Sequence, residues 1–246
     1  MHGVPSGVPD LMPTPALAPT RHPAPDRRRF LALAAGAAVS LAASGLPGTA
    51  AFALAVPGPD DIARPPASYP ALFSSRELVL GDPLQYLPKA QSLVGALGQP
   101  YAGSDGALGR WNTLIDRLSG AGATTQIEEI NRFVNDIAYV DDRRNWGVAD
   151  RWATPAEFFA EGGDCEDFAL TKFVSLYRLG FNIGRLRMVL AKDERKGIDH
   201  AFLAVYLGDQ AYVLDNQIKT VTPHEAISHY RPLCSFNDHR LWLHRT

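Results

Sequence analysis

The sequence predicts an α+β domain in which helices come first and an antiparallel sheet follows. Between residues 108 and 179, apolar side chains recur with the period of an amphipathic helix. After residue 185 the period shortens to two, or the apolar run becomes continuous, as in strands. Helices grouped ahead of strands are typical of α+β domains. With 46% hydrophobic and 20% charged residues, the 246-residue chain has enough apolar side chains for one good core.

Two helices are predicted in the first part of this region. One spans residues 108–118, where apolar side chains recur every three or four positions. The other carries an apolar stripe over residues 127–137. Thr125 and Glu128 have the spacing of a capping box, which we expect at the N-terminus of this second helix.

Two further helices are predicted downstream, close together. Thr154 is expected to cap the first of them, with Pro155 at the first helical position and Glu157 completing a capping box. The second is expected to begin at about Cys165 and to stop at Gly180. Glycine favours the left-handed conformation that ends a helix.

Strands are predicted where valine, leucine and aromatic residues dominate, at residues 186–191, 201–207, 212–214 and 240–243. Gly208 and Asp209 join the second and third of these segments. This pair suits a two-residue type II′ hairpin in which Leu207 pairs with Gln210. The N-terminal helices are expected to pack on the resulting antiparallel sheet.

The first 55 residues read as an export signal. Arg27 and Arg28 are separated by one residue from Phe30 and Leu31, and an uncharged stretch rich in alanine and glycine follows. This is the pattern of a twin-arginine signal, with cleavage expected after Ala55. The alternative is an uncleaved membrane anchor, since about 20 apolar residues can span a bilayer. On either reading the working domain lies outside the cytoplasm, and we expect it in the periplasm.

The rest of the chain divides into a short lead-in and one domain. Residues 56–75 contain five prolines and are expected to be extended, while residues 76–246 form the domain. Without the first 55 residues, the chain keeps 20 basic and 24 acidic residues, a net charge of −4. Because no block of like charge is present, no nucleic-acid groove is indicated. No heptad array is present either, and we expect a monomer.

The run Gly-Gly-Asp-Cys-Glu-Asp at residues 162–167 is the strongest indication of chemistry. Cys165 opens a predicted helix, where unpaired backbone N–H groups and the helix dipole favour a thiolate. The same N–H groups suit an oxyanion on a substrate carbonyl. Gly162 and Gly163 are expected to leave room for a substrate backbone. The structural alternative is a disulfide between Cys165 and Cys234, the two cysteines of the chain.

A nucleophilic cysteine needs a histidine base and a group that orients the histidine. The hairpin register places position 202 opposite 215, so His200 and Asp215 become diagonal neighbours on one face, about 7–8 Å apart at the backbone. Their side chains can close that gap to a hydrogen bond. The hairpin alone therefore assembles a histidine–aspartate pair, and Cys165 has to come from the helix.

Four segments resemble one known family. They are Trp-Ala-Thr-Pro-Ala-Glu at residues 152–157, Gly-Asp-Cys-Glu-Asp-Phe-Ala at 163–169, Asp-His-Ala at 199–201 and Leu-Asp-Asn at 214–216. In these segments, and over most of the chain from residue 76, the sequence is similar to the bacterial transglutaminase-like cysteine proteinases, the LapG-type periplasmic proteases. The resemblance implies a papain-like α+β fold and a catalytic triad of Cys165, His200 and Asp215.

The resemblance also implies a biological role. It implies cleavage of a large surface adhesin near its N-terminus, beside paired alanines, which releases cells from a biofilm. It further implies calcium dependence and sequestration by an inner-membrane receptor that responds to cyclic-di-GMP. The twin-arginine pattern is a departure, because the family pattern does not predict it.

The acidic residues near Cys165 are candidate calcium ligands. Asp164 and Glu166 flank the thiol, and the resemblance supports both of them as ligands. Upstream, Asp142 is a candidate together with Asp141 and Asp150, since spacing alone does not select among the three. Without a cation, Asp164 would be the helix N-cap, and Glu166 and Asp167 would be first-turn acids favoured by the dipole. Carboxylates beside a thiolate raise its pKa, and a bound cation would relieve this.

Two other functions stay open on the sequence. A transglutaminase uses the same three residues but passes the acyl group to an amine, and the choice of acceptor is not written in the sequence. A non-catalytic binding module on the same scaffold is the other, although the intact set of cysteine, histidine and aspartate argues against it.

Overall fold

The computed structural model describes residues 62–66 and 69–245. The predicted export signal, its cleavage point and part of the lead-in therefore lie outside the described residues. Within the described part of the chain, no helix is both long enough and apolar enough to cross a bilayer.

Helices dominate the described chain up to residue 178. They are α1 (Ala90–Leu97), α2 (Gly106–Leu118), α3 (Ala123–Asn135), α4 (Asp142–Asn145), α5 (Pro155–Glu161) and α6 (Cys165–Arg178). Helix α6 lies at the centre of this layer, because every residue from 167 to 176 is buried. Short 3₁₀ turns occupy Leu72–Ser74, Pro83–Gln85, Ile183–Arg185 and His224–Ala226.

The strands form one antiparallel sheet. They are β1 (Arg76–Leu80), β2 (Leu186–Asp193), β3 (Ile198–Leu207), β4 (Gln210–Leu214), β5 (Thr222–Pro223), β6 (Tyr230–Phe236) and β7 (Leu241–Arg245). Their order across the sheet is β1-β7-β6-β2-β3-β4-β5. The pairings described are all antiparallel.

The sheet has a core on each face. On one face α6 packs against β2 and β3, and the other helices pack around α6. On the opposite face, side chains of β2, β3 and β4 pack beneath Leu72, Ile227 and Tyr230. This arrangement is the predicted α+β fold with N-terminal helices on an antiparallel sheet. Its consequence for the site is that the N-terminus of α6 meets the end of the sheet where β3 begins.

Of the four predicted helices, α5 and α6 begin where expected, α2 begins at Gly106 rather than at residue 108, and α3 begins ahead of its predicted cap. Helices α1 and α4 were not predicted. The capping box of Thr154 and Glu157 forms at the start of α5, with Thr154 N–H donating to Glu157 at 2.8 Å. Helix α6 starts at Cys165, as expected. In contrast, α3 begins at Ala123, so Thr125 lies inside its first turn and caps nothing. Ala123 and the polar Gln126 are both buried, and tertiary packing therefore starts the helix before the predicted cap.

Three strands were not predicted, and one of them, β5, has only two residues. Strand β6 contains Pro232, which cannot donate to a ladder, and its sequence resembled a packed core segment. Strand β1 lies at the free edge of the sheet and has a mostly exposed side-chain pattern, so it shows no alternation of buried and exposed positions.

The described part of the lead-in is fixed to the domain rather than free. The backbone N–H of Asn182 donates to the carbonyl of Ile62 at 2.7 Å, and Arg185 Nε donates to the carbonyl of Arg64 at 2.6 Å. Ile62 is buried in the helix-side core. Described residues before position 76 therefore contribute to the packing of the domain.

Candidate active site

The N-terminus of α6 is held in place by the loop before it. Gly162 has φ +77°, and a side chain there would meet the Ala138 carbonyl at 2.6 Å, so only glycine fits. The Gly163 carbonyl accepts from the backbone N–H of Val140 at 2.9 Å. Asp164 then occupies the N-cap and Cys165 the first helical position. The thiol therefore lies at the positive end of the helix, as expected.

The space beside Gly163 serves Asp167 and not a substrate backbone, which corrects the expectation from the sequence. A Cβ at Gly163 would lie 2.2 Å from Asp167 Oδ2. This buried carboxylate accepts from Ala153 N at 2.6 Å and from Asp164 N at 3.2 Å. Asp167 thus ties the loop before α5 to the N-terminus of α6. Burial raises the pKa of Asp167 to about 8.

The hairpin of β3 and β4 brings His200 and Asp215 together. Leu207 pairs with Gln210, so the predicted register is confirmed. Gly208 has φ +59° and Asp209 has no positive φ, as the predicted type II′ turn requires. His200 Nε2 lies 2.8 Å from Asp215 Oδ1, and both side chains are buried.

Asp215 is held by three donors that favour its charged form. Oδ1 accepts from His200 and from the Gln217 backbone N–H at 2.9 Å, while Oδ2 accepts from the Tyr230 hydroxyl at 2.6 Å. Burial opposes ionisation, but these hydrogen bonds outweigh it and lower the pKa of Asp215. The Tyr230 ring also packs on the imidazole, with centroids 5.3 Å apart. Tyr230 therefore positions both members of the pair.

Gln217 fixes the tautomer of His200. Lys196 Nζ donates to Gln217 Oε1, which leaves the amide nitrogen facing His200 Nδ1 at 3.0 Å. An amide nitrogen only donates, so Nδ1 accepts, and a neutral imidazole carries its proton on Nε2. That proton points at Asp215. Nδ1 is thus the unprotonated ring nitrogen, and its lone pair is the one that can accept a proton.

The Cys165 thiol faces the same cavity but has a different partner. Sγ donates to Glu166 Oε2 at 3.2 Å, and no hydrogen bond joins Cys165 to His200 within residues 62–245 as described. Burial, followed by the Glu166 and Asp164 carboxylates, raises the pKa of the thiol, while the Ala201 backbone N–H lowers it. Burial and the two carboxylates therefore oppose the ionisation that a helix N-terminus favours.

Four acidic residues besides Asp167 converge next to the thiol. Oxygens of Asp142, Asp150 and Glu166 lie within 4.8 Å of one another, and Asp164 stands within the same distance of Asp142. The predicted ligands Asp142, Asp164 and Glu166 are thus brought together, with Asp150 added. Asp141 is not among them, because it caps α4 by accepting from the Arg144 N–H at 3.1 Å.

The cluster fits a divalent cation on two observations. One buried carboxylate oxygen of Asp142 and one of Asp164 have no hydrogen-bond partner in the described structure. Burial, reinforced by neighbouring carboxylates, raises the pKa of Asp164 to about 9, and burial raises that of Glu166 as well. A hard cation such as Ca²⁺ prefers these oxygen donors and would offset their repulsion.

Cys165 and His200 line one cavity of about 500 Å³. Its other walls come from the α4–α5 loop, the acidic cluster and the sheet, and its lining includes Tyr139, Trp152, Leu190 and Leu233. Tyr139 stacks on Phe168 with centroids 6.4 Å apart and stays largely exposed. Neither Trp152 nor Tyr139 was predicted from the sequence to line the site.

Three residues that shape the site were missed. The contact between Gln217 and His200 could have been predicted, because the predicted hairpin register places these two residues opposite each other. Asp167 was treated only as a first-turn acid, and Tyr230 comes from a strand that was not predicted. The proposed disulfide alternative is wrong, because both Cys165 and Cys234 are free thiols.

Comparison with known proteins gives a consistent family. The model for the bacterial transglutaminase-like cysteine proteinases, BTLCP, matches residues 116–244, just over half of the chain. No protein with a curated function matches the chain.

Solved structures of Legionella pneumophila LapG are similar over most of their length. One is 29% identical with a TM-score of 0.52, covering 62% of this chain and 86% of LapG. Calcium-bound LapG is 28% identical with a TM-score of 0.53, covering 63% and 87%. EGTA-treated LapG is 29% identical with a TM-score of 0.53, covering 63% and 85%.

Proposed function

The chain belongs to the bacterial transglutaminase-like cysteine proteinases and is a cysteine peptidase, and we propose that Cys165, His200 and Asp215 are its catalytic triad. The observation that carries the proposal is the convergence of two separate elements on one cavity. Helix α6 supplies a thiol at its N-terminus, and the β3–β4 hairpin supplies a histidine already paired to a buried carboxylate.

In the first step His200 Nδ1 accepts the thiol proton, and the sulfur attacks the carbonyl carbon of the scissile peptide bond. For this transfer the thiol leaves Glu166, and Nδ1 leaves the Gln217 amide. Asp215 stabilises the imidazolium through the Nε2 proton. Its lowered pKa keeps it ionised throughout.

The oxyanion and the second half of the reaction involve the Cys165 backbone and His200. We assign stabilisation of the oxyanion to the backbone N–H of Cys165, because the first N–H groups of a helix have no partner within it. His200 then donates its proton to the departing amine as the C–N bond breaks and a thioester forms. Water attacks the thioester while His200 takes a proton from the water. The C–S bond then breaks, the carboxylic acid product leaves, and His200 returns the proton to the sulfur to restore the thiol.

We further propose that the enzyme holds calcium through Asp142, Asp164 and Glu166, with Asp150 as a fourth candidate. The support is the unpartnered carboxylate oxygens and the mutual repulsion described above. The positive charge of such an ion favours ionisation of the neighbouring thiol. Lys89, which pairs with Asp150 in this structure, would then have to share that carboxylate.

The cellular role is proposed from the family and from the N-terminal sequence. A twin-arginine pattern in residues 1–55 supports export to the periplasm, where a monomeric enzyme would meet cell-surface proteins. We propose a large surface adhesin as substrate, with release of attached cells as the result. Control by an inner-membrane receptor that responds to cyclic-di-GMP belongs to the same proposal.

Hydrolysis and amine transfer are separated by one experiment. The purified protein, with calcium, is incubated with peptides containing glutamine and with an amine probe, and products are identified by mass spectrometry. We expect peptide-bond cleavage without probe incorporation. Incorporation of the amine without cleavage would overturn the peptidase mechanism in favour of a transglutaminase.

A matched variant assigns the nucleophile. Cys165→Ala should abolish cleavage and labelling by a thiol-reactive probe, with little change in melting temperature. Labelling or cleavage that persists in Cys165→Ala would show that another group carries the reaction.

A further inference from the structure

A row of side chains crosses the helix-side face of the sheet from its free edge to the thiol. The strand register aligns Leu78 with Leu243, Leu243 with Cys234, Cys234 with Leu190, and Leu190 with Ala201. Directly opposed residues share a face, so these five point the same way. The backbone N–H of Ala201 contacts Cys165. We call these residues the apolar row.

The apolar row lies at the margin of the part of the sheet that the helices cover. The neighbouring row on the same face is Leu80, Leu241, Phe236 and Met188, and it packs in the helix-side core. In the apolar row Leu190 and Cys234 are only partly buried, and Leu243 and Leu78 are 37% and 49% exposed. Helical cover therefore decreases along the apolar row, since Ala201 is buried and Leu190 and Cys234 still pack against the helix-side core.

A β-bulge adds one more leucine to this surface. Cys234 pairs with Leu190 and Pro232 with Ala191, so Leu233 is an extra residue in β6. Bulges re-aim side chains, and they recur next to active sites. Leu233 is 40% exposed and, with Leu190, lines the cavity that holds Cys165 and His200. The apolar surface is thus continuous with the proposed catalytic cavity.

We propose that the apolar row binds apolar side chains of an extended substrate polypeptide on one side of the scissile bond. This inference rests on the proposed function, because it assigns the substrate class of the same site. Exposed leucines in a continuous line are uncommon on a soluble domain unless they bind something. A peptidase must in addition hold its substrate chain across the cavity. The row is a continuous apolar surface that extends from the cavity to the free edge of the sheet.

Strand spacing gives the reach of each subsite. Adjacent strands lie about 4.8 Å apart and an extended chain advances about 3.3 Å per residue. Counted from Ala201, Cys234 lies two strands away, Leu243 three and Leu78 four. These intervals correspond to about three, four and six substrate residues from the scissile bond.

A second copy of the chain is a weaker candidate for the occupant. Stable interfaces bury about 800 Å² on each partner. Three partly exposed leucines supply only a small part of that area, whereas they match the side chains of a single peptide strand.

The test is cleavage-site profiling. The purified protein, with calcium, is incubated with a peptide library made from a bacterial proteome, and cleavage sites are read by mass spectrometry. The unmodified protein is compared with Leu243→Glu and Leu78→Glu. Val79→Glu is the matched control, because Val79 is 55% exposed and lies next to Leu78 in β1 but faces the opposite side of the sheet. Melting temperatures verify that each variant is folded.

We expect a preference for apolar residues about three to six positions from the cut, on one side only. Leu243→Glu should lower kcat/KM for such peptides about tenfold, and Leu78→Glu should act at a more distant position. Val79→Glu should match the unmodified protein. Labelling of Cys165 by a small thiol probe should be the same in all four proteins.

Two results would overturn the inference alone. One is an unchanged profile in Leu243→Glu while the unmodified protein cleaves normally. The other is a change in sedimentation of Leu243→Glu without a change in profile, which would make the row a self-association surface. If the unmodified protein cleaves nothing, the proposed peptidase mechanism fails, and this inference fails with it.

Discussion

The Cys165 thiol donates a hydrogen bond to Glu166 Oε2 at 3.2 Å, so the proposed nucleophile is hydrogen-bonded to the next residue of its own helix. The same carboxylate belongs to the acidic cluster with Asp142 and Asp150. Glu166 therefore connects the thiol to the candidate cation site. Any change in the charge of the cluster is expected to reach the nucleophile through this residue.

Asp142→Asn is expected to weaken calcium binding by about 10- to 100-fold, because it removes one anionic ligand from a compact oxygen cluster. Calorimetric titration of the purified protein measures the affinity, and the calcium-dependent rise in melting temperature provides a second readout. Chelation should reversibly reduce cleavage by the unmodified protein.

Asp141→Asn is the control for this experiment. Asp141 adjoins Asp142 in sequence but caps α4 and lies outside the cluster. Its replacement should leave calcium affinity unchanged. Equal loss of calcium affinity in both variants would show that the cation binds elsewhere. Cleavage activity that chelators leave unchanged would show that the enzyme does not depend on calcium.

Tyr230→Phe is expected to lower kcat about tenfold with little change in KM. The variant loses the 2.6 Å hydrogen bond that holds Asp215 Oδ2. That bond helps to lower the pKa of Asp215. Its loss should raise this pKa, so the acid limb of the rate profile should move to higher pH. A pH series of kcat and kcat/KM measures the shift, and an unmoved acid limb would limit Tyr230 to packing.

Gly163→Ala is expected to destabilise the fold by about 1–3 kcal/mol and to reduce activity. The added Cβ would lie 2.2 Å from Asp167 Oδ2, and that carboxylate holds the loop before α5. Chemical denaturation measures the free energy of unfolding. Gly95→Ala in α1 is the contrast, since a Cβ there meets nothing within 4 Å and alanine favours a helix. Equal stability of Gly163→Ala and the unmodified protein would contradict the packing described.

Lys172→Met is expected to change how stability depends on pH. Lys172 is fully buried in α6, its amine has no hydrogen-bond partner in the described structure, and burial lowers its pKa to about 7. The unfolded chain then binds more protons than the folded protein between about pH 7 and 10. Stability should therefore rise with pH in this window, by up to about 1.4 kcal/mol per pH unit.

In Lys172→Met this rise should be absent, and the variant should be the more stable protein near pH 7. Denaturation curves at several pH values compare the two. A variant with the same slope as the unmodified protein would show that the amine is solvated or paired.

The sequence by itself determined what depends on neighbours along the chain. The Thr154–Glu157 capping box, the start of α6 at Cys165 and the register of the β3–β4 hairpin all follow from local rules. That register was sufficient to place His200 next to Asp215, because a two-residue turn determines which residues of the two hairpin strands lie opposite each other.

Only the tertiary structure decided which distant groups share the site. Tyr230 reaches Asp215 from β6, a strand whose proline and bulge hide its pattern, and Asp150 joins Asp142 and Glu166 across a loop. The same applies to the space beside Gly163, which Asp167 fills. Contacts between elements depend on how their faces pack, and no local spacing in the sequence encodes that packing.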